Sequence, residues 1–213
     1  NLRYGEQMSA AKEMLTSAKY RFRYPVEGVY AKKQTDLLNV TLEQFFEVVG
    51  DGLGSTLLAS GMRINFGYAS GNNFRLPYQI RFTPTNLTQW TIVHELGHAL
   101  DASYGWRLSQ RMRVETGSGF RIKAIHRAFP RWKVFWYRVG SPPPPCGVND
   151  KFNSLEDFAE TVTAFIFPEK AKEKAAARGF NYEKYGYAHF HETPRGRYFQ
   201  MLLDEHEKEA PSI

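Results

Sequence analysis

Two histidines, His94 and His98, stand four residues apart inside the run Thr91-Ile-Val-His-Glu-Leu-Gly-His-Ala-Leu-Asp101. Ile92, Val93, Leu96, Ala99 and Leu100 recur there at helical spacing. Side chains four apart share one face of a helix, one turn from each other. Both imidazoles can therefore reach one metal ion, with Glu95 beside them to handle a proton. The pattern limits what the chain can become. It asks for a packed helix, a second element close above it, and a ligand from elsewhere, because a catalytic zinc takes three protein ligands and a water. Asn86 and Gln89, just after Pro84, fit a capping box at the start of this helix. Gly97 costs about 1 kcal/mol in a helix interior. A tight approach of another backbone over the metal accounts for that cost. A buried helix with two structural histidines is the bland alternative, and it explains neither Glu95 nor Gly97.

The stretch Asn153-Ser-Leu-Glu-Asp-Phe-Ala-Glu-Thr-Val-Thr-Ala-Phe165 offers the missing ligand. Leu155, Phe158, Ala159, Val162 and Phe165 form the apolar side of a helix. Glu156 and Glu160 lie one turn apart on the other side. One can bind the metal, and the other can orient a metal-bound histidine through its second ring nitrogen. The plainer reading is a capping box of Asn153 and Glu156, with acids favoured by the helix dipole. Asp157 lies about 100° round the helix from Glu156 and suits the metal less. His126, His189, His191 and His206 are rival third ligands. Asp101 shares nearly the same helix face as His94, where it would hold His98 or a basic neighbour, or stay solvated near the helix end.

The flanking sequence sets the organisation. Glu6 to Tyr20 reads as an amphipathic helix. Thr41 to Leu58 reads as a second, capped by Thr41 and weakened midway by Gly52 and Gly54. The period then shortens to two. Met62, Ile64, Phe66 and Tyr68 alternate, then Leu76, Tyr78, Ile80 and Phe82, as two strands joined through the Gly-Asn-Asn segment 71–73. Tyr78–Phe82 is either a strand lining a cleft or a plain interior hairpin strand. Phe120–Phe129 reads as a helix, and Pro142–Pro145 as a stiff loop. These elements predict one domain over 1–213. It comprises an N-terminal helical extension (1–40), a part with helix, strands and metal helix (41–110), and a helical part carrying the third ligand (111–213).

Composition bounds the partners. The chain has 213 residues and a net charge of +6, but its basic residues are scattered. The densest stretch, Arg107 to Arg138, carries aromatics that suit a core as well as a base-stacking surface. No nucleic acid partner is expected. A single cysteine, Cys146, excludes an internal disulfide and leaves the compartment unread. No apolar run reaches the 18 residues of a membrane span. The start at Asn1, without Met or signal peptide, reads as a piece of a longer precursor or a processed form.

Taken together, His94-Glu-Leu-Gly-His-Ala-Leu-Asp101 and Asn153-x-x-Glu-Asp-Phe-Ala-Glu160 resemble the gluzincin metallopeptidases of the anthrax lethal factor and Pro-Pro endopeptidase type. The resemblance covers about 88–166, with a closing helix at Pro194–Leu203. It implies Glu156 as the third ligand of Zn2+ and Glu160 as the partner behind a metal-bound histidine. It implies an α+β, zincin-like fold: a small twisted, mostly antiparallel sheet packed on the active-site helix, with a mainly helical C-terminal part. It implies a secreted or toxin-like zinc endopeptidase acting on a protein or peptide, in which zinc-bound water attacks the peptide bond and Glu95 is the general base. Those enzymes carry an oxyanion-binding tyrosine seven residues before the third ligand, where this chain has Asn149. Tyr137, Tyr185, Tyr187, His189 and His191 are the replacements available. The competing functions are an intracellular regulatory peptidase that cleaves a repressor-like partner, and a degenerate domain that binds metal without catalysis.

Overall fold

A computed structural model describes residues 26–27, 32–66, 72–76, 79–83, 87–116, 120–121, 135–136, 153–177 and 187–207. Its elements run β1 (Val26–Glu27), α1 (Lys32–Ala59), β2 (Arg63–Phe66), β3 (Asn73–Arg75), β4 (Gln79–Phe82), α2 (Gln89–Ser103) and α3 (Arg107–Thr116). The short strands β5 (Phe120–Arg121) and β6 (Phe135–Trp136) follow, then α4 (Ser154–Ile166), α5 (Pro168–Ala177), a 3-10 turn (Tyr187–Glu192) and α6 (Pro194–Glu207). The fold class is α+β, and the C-terminal part is mainly helical, as expected.

The sheet departs from expectation. Its order is β1-β2-β4-β3, with β1 parallel to β2, β2 parallel to β4, and only β3 antiparallel to β4. It is mixed rather than mostly antiparallel. Alternation of apolar residues tells which face is buried but says nothing of strand direction. The twelve residues from 67 to 78 are long enough to return the chain for a parallel pairing and to supply β3 on the way. Asn73, placed in a connection by its Gly-Asn-Asn context, begins β3. Strand β4 is interior, and among the described residues the edge strand beyond it is β3, so the Tyr78–Phe82 segment meets the expectation of an interior strand. Leu76 is 63% exposed and leaves the core pattern. Tyr68 and Tyr78 lie outside the described residues.

Helix α1 starts at Lys32, well before Thr41. Thr41 is not a cap: it is buried inside the helix, and its hydroxyl donates to Leu37 O at 2.7 Å. The break within α1 falls at Gly50 (φ 62°, ψ −174°), while Gly52 and Gly54 stay helical. Phe120 and Arg121 pair with Trp136 and Phe135 as strands, so the expected helix does not begin at Phe120. Aromatic-rich sequence suits a strand as well as a helix. Residues 122–130, the Glu6–Tyr20 helix and the Pro142–Pro145 loop lie outside the described residues.

The helices close one core. Leu38, Phe45, Phe46 and Leu53 of α1 meet Ile64, Ile80 and Phe82 of the sheet, Ile92, Val93, Leu96 and Leu100 of α2, Phe158 and Val162 of α4, and Phe199 of α6. The most extensive helix contact is between α2 and α4, and it builds the site. Among the described residues, no helix is long and apolar enough to cross a membrane.

Candidate metal centre

Helix α2 begins at a cap other than the expected one. Thr88 is the N-cap: its hydroxyl accepts from Thr91 N, and the Thr91 side chain accepts from Thr88 N. Gln89 is the first helical residue and bonds to Gln44 and Lys170, while Asn86 lies outside the described residues. The helix ends in a Schellman turn. Gly105 N donates to Ala102 O at 2.9 Å and Trp106 N to Asp101 O at 2.8 Å, with φ 64° at both residues. On the facing helix, Asn153 caps α4 by accepting from Leu155 N and Glu156 N. The cap is therefore Asn153 alone, and the Glu156 side chain is released toward α2.

Gly97 lets the two helices meet. A Cβ at this position would lie 2.9 Å from Ala159 Cα of α4, closer than packed atoms come. That approach brings His94, His98 and Glu156 together, with ligand atoms all within 4.8 Å of one another. His94 Nε2 is 3.2 Å from Glu156 Oε2, and His98 Nε2 is 3.6 Å from Glu156 Oε1. Three ligands at about 2.1 Å from a tetrahedral zinc stand about 3.4 Å apart, so these two spacings fit one ion. Glu160 stands behind His94, with Oε1 3.2 Å from Nδ1 at an angle poor for a straight hydrogen bond. The same oxygen accepts from Trp90 Nε1 at 3.4 Å.

The charges fit a cation. Burial alone would push the His94 imidazolium down, but Glu156 and Glu160 beside it raise its pKa from 6.5 to about 10. His94 and His98 hold the Glu156 carboxyl well below the usual carboxylate range. A site that draws a proton between His94 and Glu156 offers the same lone pairs to a divalent ion. Two neutral imidazoles and one carboxylate make a mixed nitrogen and oxygen set that can hold a metal ion. Burial raises the Glu95 carboxyl, opposed by the two histidines and by the Phe74 N–H of β3, which donates to it. Glu95 is thus a buried carboxylate with elevated proton affinity beside the three ligands.

The other expected residues fall elsewhere. Asp101 is fully buried; its Oδ1 accepts from Ser109 N at 3.1 Å, and its charge also interacts with His98. It anchors the start of α3; burial raises its pKa, and the Ser109 and Leu108 donors oppose the rise. Asp157 forms a buried pair with Arg195 of α6, Nε to Oδ1 at 2.8 Å and Nη2 to Oδ2 at 3.1 Å. His191 Nε2 lies against Phe165 O, His206 Nδ1 against Leu202 O, and His189 is exposed, so none of the three joins the cluster. His126, Tyr137, Asn149 and Tyr185 lie outside the described residues, as does the Tyr187 side chain. Sequence reasoning missed Phe74, Trp90 and Arg195. Trp90 was within reach, since it precedes His94 by one helical turn. Phe74 was not, because only strand pairing puts it on an edge strand among the described residues. Compared with known proteins, the chain matches no family model, no curated protein and no solved structure.

Proposed function

We propose that the protein is a zinc-dependent endopeptidase of the gluzincin kind, with His94, His98 and Glu156 holding the metal and Glu95 as general base. The observation that carries this reading is the meeting of those three ligand atoms beside a buried fourth group, Glu95, which β3, an edge strand among the described residues, contacts through Phe74. When bound, zinc activates a water molecule and polarises the scissile carbonyl. Glu95 accepts a proton from the attacking water and passes it to the leaving amide nitrogen. Its buried position keeps that proton affinity high, and the Phe74 N–H fixes where the carboxylate points. Glu160 faces His94 Nδ1, which favours the tautomer that leaves Nε2 bare for the metal. Among the described residues β3 is an edge strand, along which an extended peptide can dock.

The test is metal analysis joined to cleavage profiling of a combinatorial peptide library, with and without a chelator. Zinc at one ion per chain and chelator-sensitive cleavage are expected. Glu95→Gln keeps the zinc and loses the cleavage. Full activity in that variant at the same zinc content sinks the mechanism. A zinc-loaded wild type that cleaves nothing in the library leaves a metal-binding domain without catalysis.

A further inference from the structure

The outward face of the sheet carries a pattern that the metal centre does not use. Ile64, Ile80 and Phe82 are fully buried, so the residues alternating with them face the other way. The outward set is Arg63, Asn65, Asn73, Arg75, Gln79 and Arg81. Register places them in two rows across the strands, Arg63–Gln79–Arg75 and Asn65–Arg81–Asn73. Glu27 of β1 is in register with Asn65 and closes the second row at its far end; across β2, β4 and β3 the six residues include no acid and no apolar side chain. Arg75 Nε donates to Asn73 Oδ1 and Arg81 Nε to Gln79 Oε1, both at 3.1 Å. Each of these guanidinium groups is braced by an amide on its own strand, which leaves its paired Nη groups for a bidentate acceptor. Arg111 and Arg195 are matched to carboxylates, whereas Arg63, Arg75 and Arg81 have none among the described residues.

Position gives this face a use. Asn73 and Arg75 flank Phe74, whose N–H donates to Glu95. The part of a substrate that leaves the metal centre past the edge of β3 and crosses the outward face meets Arg75 first, then Arg81 and Arg63. Strands lie about 4.8 Å apart, so Arg63 and Arg75, two strands apart, stand about 10 Å from each other. Side chains on one face of an extended peptide repeat about every 7 Å. Flexible Glu side chains in such a peptide span these spacings.

We propose that this face selects acidic peptide substrates, with carboxylates of an extended segment docking on Arg75, Arg81 and Arg63. Its reaction rests on the peptidase reading above; its binding step does not. An acidic peptide is favoured over a nucleic acid because the six side chains include no aromatic platform for bases.

The test uses the full chain and two fluorescent peptides that differ only in Glu against Gln. Binding to Glu95→Gln is read by anisotropy at low and high salt. The Glu peptide is expected to bind roughly tenfold tighter, with the advantage shrinking as salt screens it. Cleavage by wild type gives the ratio of kcat/KM for the two peptides. In the triple variant Arg63→Gln/Arg75→Gln/Arg81→Gln both ratios are expected to fall close to one. Arg75→Gln alone is expected to lose part of the preference, which keeps the test open if the triple variant misfolds. Equal binding of the two peptides, or a preference that survives the triple variant, overturns the proposal. Tighter, arginine-dependent binding of single-stranded RNA or phosphatidylserine vesicles overturns the acidic-peptide assignment. A binding preference without cleavage of either peptide leaves the docking face standing and removes the peptidase reading.

Discussion

At Gly97 the fold depends on a missing methyl group. Ala159 Cα occupies the space that a side chain there would need. Gly97→Ala is a small chemical change on a helix that favours alanine, yet it forces α2 and α4 apart. We expect it to destabilise the protein by about 1–3 kcal/mol and to weaken metal binding, because Glu156 rides on α4. Urea unfolding and a zinc competition titration measure the two effects; an unchanged zinc affinity would show that the approach does not set the ligand geometry. Glu160 faces His94 Nδ1 rather than the three-ligand cluster, so in the proposed site it works through that ring. Glu160→Gln keeps the volume and removes the charge facing Nδ1. A loss of about 10–100-fold in zinc affinity is expected, with Glu95 untouched.

At the scale of elements, the pair Asp157–Arg195 ties the first turn of α4 to the first turn of α6, and both side chains are almost wholly buried. Removing one partner strands the other charge in the core. Arg195→Leu alone is expected to cost about 3–5 kcal/mol, and the double change Asp157→Leu/Arg195→Leu to recover most of that. A double-mutant cycle in urea checks it; two additive losses would mean that the charges do not act as a pair. This scale also divides what sequence could tell from what it could not. His94, Glu95 and His98 were legible because a helix period alone puts the two imidazoles on one face. Glu156 was legible because its own helix has a clear apolar side. The caps were misread, since Thr41 imitates a cap while bonding back to Leu37, and Thr88–Thr91 does the capping that Asn86 and Gln89 seemed to offer. Strand direction was hidden, because alternation is the same read either way along a strand.

Across the whole molecule, a metal bound at the proposed site would compete with protons for one set of lone pairs. His94 in the metal-free protein has its pKa raised from 6.5 to about 10 by Glu156 and Glu160, which outweigh burial. A raised folded-state value contributes stability that is full below about pH 6.5 and lost as pH rises through about 10. Stripped of metal, the protein is therefore expected to lose stability over that window. Zinc displaces the proton, so the loaded protein should lack this loss and gain about 4 kcal/mol at a thousandfold excess over Kd. Thermal melts from pH 6 to 10, with zinc and with chelator, test this; parallel curves would remove His94 from the linkage. The sheet's order also bears on time. Strands β3 and β4 are near neighbours along the chain, whereas β2 must wait for the crossing between residues 67 and 78, and α4 joins from farther still. Contacts that close short loops form early. In pulse-labelled refolding, amides of Gln79–Phe82 should gain protection before those of Ser154–Ile166. Glu95 then finds its Phe74 partner while Glu156 is still on its way, so a nascent chain gathers these side chains in sequence and completes the His94–His98–Glu156 cluster only when α4 docks.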